Sequence, residues 1–90
     1  MSAVPAPQHM EPGQWAITID AGPSNDESAE VGYSIRFWRN GNLILSSGSQ
    51  SYVNKAFAEQ LVSELIRPGS DVVLLRRDRE FNTTGAERLR

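Results

Sequence analysis

Asn40-Gly41, set between two apolar stretches, constrains this chain more than any other pair of residues. A two-residue type I′ hairpin needs positive φ at both central positions, and Asn and Gly tolerate that best. Before the turn, residues 30–39 alternate, with Val31, Tyr33, Ile35 and Phe37 on one face and Ser34, Arg36 and Trp38 on the other. After it, Leu43-Ile44-Leu45 continues as the next strand. A two-residue loop pairs Arg39 with Asn42, Trp38 with Leu43, Phe37 with Ile44, Arg36 with Leu45 and Ile35 with Ser46. Directly paired residues share a face. Ile35, Phe37 and Ile44 therefore form one side, and Arg36, Trp38, Leu43 and Leu45 the other.

Around this hairpin the remaining elements fall into order. Residues 14–20 alternate as well, with Trp15, Ile17 and Ile19 opposed to Ala16, Thr18 and Asp20. Residues 21–29 are turn-rich, and residues 46–53, with four Ser and a Gly, read as a loop. Asn54 can cap a helix in which Phe57, Ala58, Leu61, Val62, Leu65 and Ile66 recur at three- and four-residue steps. Pro68-Gly69 ends it, and Val72-Val73-Leu74-Leu75 reads as a short fourth strand. The expected fold class is α+β: a three-stranded antiparallel meander, one amphipathic helix on one face and a short fourth strand, in the order β-β-β-α-β. Residues 1–13, with Pro5, Pro7 and Pro12, are expected to be a disordered lead-in, residues 14–76 a single domain, and residues 77–90 a flexible charged tail.

With 90 residues the core is small, and small domains bury a smaller fraction of their surface. The usual supports are disulfides, metals or a second subunit. The chain has no cysteine, and its only histidine, His9, lies in the lead-in, so thiolate and His-rich metal sites are excluded and oligomerisation remains. No apolar run approaches a membrane span, and residues 1–5 lack the pattern of a secretory signal, so the expected compartment is the cytoplasm and no membrane partner is expected.

Motifs of hydrolases, dinucleotide- and phosphate-binding proteins and zinc peptidases are absent, and the histidine is badly placed for a general base. Asp20, Asp26, Glu27 and Glu30 surround a loop without the spacing of a calcium site. Neither enzymatic activity nor a cofactor is expected. The side bearing Arg36, Trp38, Leu43 and Leu45, open to solvent in a sheet with one helix, reads as an interface. It would serve a homodimer, a small homo-oligomer or a protein partner. The alternative is a nucleic-acid-binding accessory protein. Residues 1–35 hold five acidic and no basic residues, whereas residues 36–90 hold all nine basic ones. Arg36 and Arg39 on the sheet and Arg76, Arg77 and Arg79 after the fourth strand would then contact phosphates.

The stretches Trp15-Ala16-Ile17-Thr18-Ile19-Asp20, Tyr33-Ser34-Ile35-Arg36-Phe37, Asn40-Gly41, Leu43-Ile44-Leu45-Ser46-Ser47, Tyr52, Asn54-Lys55-Ala56 and Val72-Val73 resemble the YegP-like family of domains of unknown function. The resemblance covers residues 14–76. It departs in a longer first connection, a longer loop before the helix, Asn54 where the family commonly has Ser, and an appended charged segment. It implies a sheet crossed by one helix and a dimer, and it implies no activity.

Overall fold

The computed structural model describes residues 4–8, 10–22, 32–50 and 55–89, without the side chains of residues 47–50. Five strands and one helix follow in the order β1 (Trp15–Gly22), β2 (Gly32–Arg39), β3 (Asn42–Gln50), α1 (Lys55–Leu65), β4 (Val72–Arg77) and β5 (Thr83–Arg88). They form one mixed α+β sheet in spatial order β3-β2-β1-β4-β5. The meander β1-β2-β3 is antiparallel as expected, β4 lies parallel to β1, and β5 returns antiparallel to β4. A parallel neighbour requires a crossover, which α1 supplies on the way from β3 to β4.

Asn40 and Gly41 have φ of +52° and +78°, both in the left-handed region that the hairpin requires. Arg39 pairs with Asn42 and Trp38 with Leu43, as the loop length dictates. Beyond that the register departs from expectation. Phe37 pairs with Leu45 and Arg36 with Ser46, leaving Ile44 without a partner on β2. A β-bulge adds one residue to one strand and shifts every later pair. Leu45 therefore shares the side of Phe37 and not that of Arg36 and Trp38. A second irregularity follows, and Ser34 pairs with Ser49.

Two more expectations are corrected. The serine-rich stretch after Leu45 stays in the strand as far as Gln50, and the segment expected as a flexible tail from residue 77 carries β5. Composition misleads in both places, because an edge strand needs apolar residues on neither face once its backbone is paired on one side. Of the stretch expected as turn-rich, residues 21 and 22 end β1, while residues 23–29, together with residues 30–31, the cap at Asn54 and His9, lie outside the described residues.

One face of the sheet carries the main core. Ile17 and Ile19 of β1, Ile35 and Phe37 of β2, and Val72 and Leu74 of β4 pack with Ala58, Val62 and Ile66. Trp15, Tyr33, Leu61 and Leu89 border that cluster. Phe57 and Leu65, on the apolar stripe of the helix in the sequence, remain exposed. After the helix, Arg67-Pro68-Gly69-Ser70 turns the chain, with a hydrogen bond from the Ser70 amide to the Arg67 carbonyl and φ of +86° at Gly69. Pro and then Gly at the centre of such a turn fit the type II geometry.

Candidate functional site: the network on the second face

The second face is not open. Trp38 is only 3% exposed, and Ala16, Thr18, Asp20 and Arg77 are buried as well. Because β1 and β4 run parallel in register, Asp20 stands directly beside Arg77, and the antiparallel pairing of β1 with β2 sets Thr18 beside Arg36 and Ala16 beside Trp38. The period of two places Ala16, Thr18, Asp20, Arg36, Trp38 and Arg77 together on the side away from the helix.

Their polar groups complete one another. Arg77 donates from Nε (2.5 Å) and Nη2 (2.9 Å) to the two oxygens of Asp20. Arg36 Nη1 donates to Asp20 Oδ2 at 2.6 Å, and the Thr18 hydroxyl donates to the same oxygen at 3.0 Å. The Trp38 indole N–H donates to Thr18 Oγ1 at 2.9 Å. Burial opposes ionisation of Asp20 and is the largest single influence on it. The hydrogen bonds from Arg77, Arg36 and Thr18 together with the Arg77 charge outweigh it, so the carboxyl titrates below its ordinary range. With both oxygens filled by donors, Asp20 ties β1, β2 and β4 together.

The lead-in closes this face. Arg77 Nη1 donates to the Pro5 carbonyl at 2.8 Å, and Pro7 is buried. At the other end the Gly13 amide donates to Asn40 Oδ1 at 2.7 Å, which anchors the lead-in to the β2–β3 turn as Pro5 anchors it to Arg77. The Arg77 guanidinium lies 5.7 Å from the Trp38 ring centroid and 5.1 Å from that of Phe81, within cation–π range of both.

Phe81 belongs to the turn between β4 and β5. The Phe81 amide donates to the Asp78 carbonyl and the Asp78 amide to the Asn82 carbonyl, which leaves a three-residue loop. The Asp78 carboxylate accepts from the amides of Glu80 and Asn82. The backbone hydrogen bond from Asn82 is the main reason its carboxyl titrates below the usual range. Such loops end on a left-handed residue, normally glycine. Here Phe81 takes that position at φ +64°. A left-handed residue with a Cβ costs roughly 1–2 kcal/mol, and this cost keeps an aromatic ring over Arg77.

The residues singled out by sequence are scattered. Arg36 and Trp38 join the buried network, whereas Leu43 (47% exposed) and Leu45 (48%) lie on the exposed edge strand β3 and on opposite faces. Ile44 between them is 54% exposed. Arg39 lies over Trp15, with 5.5 Å to the ring centroid, at the far end of the sheet. Arg76 is exposed on β4 and shares the helix side with Leu74, while Arg77 is consumed by Asp20. Arg79 borders a cleft of about 320 Å3 with Asp20, Ser34, Arg36 and Phe81. Asp20, Thr18 and Phe81 are the site residues that sequence reasoning missed. The signal for Asp20 is its place in phase with Thr18 and Ala16, where a buried carboxylate demands a cation.

Among the described residues no group of His, Cys, Asp and Glu is arranged to hold a metal ion, and no helix is long and apolar enough to cross a membrane. No family model, curated protein or solved structure matches this chain.

Proposed function

We propose that the protein is a non-enzymatic interaction domain that acts as a homodimer, with β3 rather than the Trp38 face as its contact surface. The observation that carries this reading is three consecutive large apolar residues, Leu43, Ile44 and Leu45, each about half exposed on an edge strand. Edge strands invite pairing with another chain, and proteins that avoid it place charges or proline there. Strand β3, Asn42–Gln50, contains neither, whereas the opposite edge β5 exposes Glu87 and Arg88. An antiparallel pair of β3 strands about a two-fold axis near Ile44 would bring residues 43–45 of both copies to one seam, with Leu43 on one face and Leu45 on the other, an isologous contact without like charges. The second bulge, beyond Ser46, confines that pairing to residues 42–46. Phe57 and Leu65 expose further apolar area on the helix, on the same side of the sheet as Leu45. The resemblance to YegP-like domains points to a dimer as well.

Sedimentation velocity of the full chain tests this reading. A species of twice the 10.0 kDa chain mass is expected at micromolar concentration. Ile44→Lys and Leu45→Glu should convert it to monomer with an unchanged circular dichroism spectrum. A wild-type monomer at high micromolar concentration, or a dimer indifferent to both substitutions, contradicts it. The nucleic-acid reading has less support, since Arg36 and Arg77 are committed to Asp20 and Arg39 stacks on Trp15.

A further inference from the structure

We propose that the groove between the lead-in and the β4–β5 turn is a receptor site for a short proline-containing peptide in extended conformation, and that residues 4–8, Val-Pro-Ala-Pro-Gln, are its tethered occupant. Extended proline segments have no internal hydrogen bonds, so their carbonyls are offered outward and no proline N–H needs a partner. A receptor for them needs a donor for a carbonyl and an aromatic wall for the rings. Both are in place here. Arg77 Nη1 donates to the Pro5 carbonyl, and the same guanidinium is fixed by Asp20 on its other edge and lies within cation–π range of Trp38 and Phe81. The donor is therefore oriented before any peptide arrives. Phe81 is held at φ +64° where glycine would sit without strain. That choice keeps a ring on the wall of the groove beside Pro5, Pro7 and Thr83.

Beside the occupant, about 460 Å3 of open space is lined by residues 5–8, Arg77 and residues 80–83, within the range of small-ligand sites. The occupant is held by a backbone carbonyl, which any peptide has, and by a buried proline, Pro7. Specificity is thus for proline spacing and not for a charged or polar side chain. A tethered segment acts at an effective concentration in the millimolar range. The unmodified chain accordingly resists a free peptide, and exchange requires that the tether be displaced by a partner or weakened.

The test uses the full chain labelled with 15N and a synthetic peptide spanning residues 2–10 of this sequence. In Pro5→Asp/Pro7→Asp, whose own segment no longer fits, the peptide should give saturable shifts of the Arg77 Nε–H and of the Phe81 and Asn82 amides. The unmodified chain should bind it about ten-fold or more weakly. Adding Phe81→Ala to the double variant should abolish the shifts. A well-dispersed double variant that shows none, or an unmodified chain that binds equally well, overturns the proposal. Should the double variant not fold, the unmodified lead-in can report instead. The chain has no cysteine, so a spin label on Ser2→Cys is unique and stays within about 11 Å of Pro5. It should broaden the Phe81 and Asn82 amides, and millimolar peptide should relieve that broadening. Broadening that persists unchanged under millimolar peptide overturns exchange at this site.

Discussion

Asp20 is the residue on which the second face depends. Its carboxylate and the Arg77 guanidinium are both buried, so removing one charge strands the other. Loss of one partner of a buried pair typically costs about 3–5 kcal/mol. Asp20→Asn should lower the unfolding free energy by about that amount in urea titration, and a change within the error of the measurement would deny the network its structural role. The same group sets an acid limit. Its folded pKa is depressed, so the stabilisation is complete above the unfolded value of about 3.9 and is lost as pH falls through the lower folded value. Near-UV circular dichroism should follow loss of the Trp38 environment in that acid window. Asn40 is the second decisive residue. Asn40→Ala forces a Cβ-bearing residue without a side-chain acceptor into φ near +52° and removes the acceptor of the Gly13 amide. A loss of about 1–2 kcal/mol is expected, measurable in the same titration.

At the scale of elements, β1, β2, β4 and the start of β3 were legible, whereas the serine-rich end of β3 and all of β5 were not. Alternation in β1 and β2 comes from two faces with different neighbours, the helix core on one side and the Asp20 network on the other. Strand β5 has no such contrast, since five of its six residues are exposed, and nothing in Thr-Thr-Gly-Ala-Glu-Arg distinguishes it from a solvated tail. Its order comes from pairing with β4 and from the Asp78 turn. The bulge at Ile44 has no sequence signature for a related reason, because three successive apolar residues carry no phase. Of the candidate site, the register near the turn was readable as far as Trp38 and Leu43. The burial of Trp38 was not, because it depends on a lead-in whose composition resembles a disordered segment. The helix gives a prediction of its own scale. Lys55 Nζ donates to Glu87 Oε1 at 2.7 Å, and that hydrogen bond is the main cause of its raised pKa. Both side chains are half exposed, and such solvent-screened pairs contribute little. Glu87→Gln should therefore leave the urea midpoint nearly unchanged and β5 paired, as judged by amide exchange.

For the whole molecule, the sheet is covered on one face by α1 and on the other by the lead-in, which leaves its margin as the incomplete part. The two margins differ: β5 exposes charge, and β3 exposes Leu43, Ile44 and Leu45 without a charge or proline. The proposed dimer would join two such sheets edge to edge and would leave the Asp20 network undisturbed and the proline groove accessible on both copies. Hydrogen exchange of the β3 amides as a function of protein concentration tests that claim most directly. Protection of the outward amides within residues 42–46 should rise with concentration in parallel with the dimer fraction, while β5 amides stay unchanged. Exchange in β3 that is independent of concentration, in a chain that remains monomeric, would contradict the account.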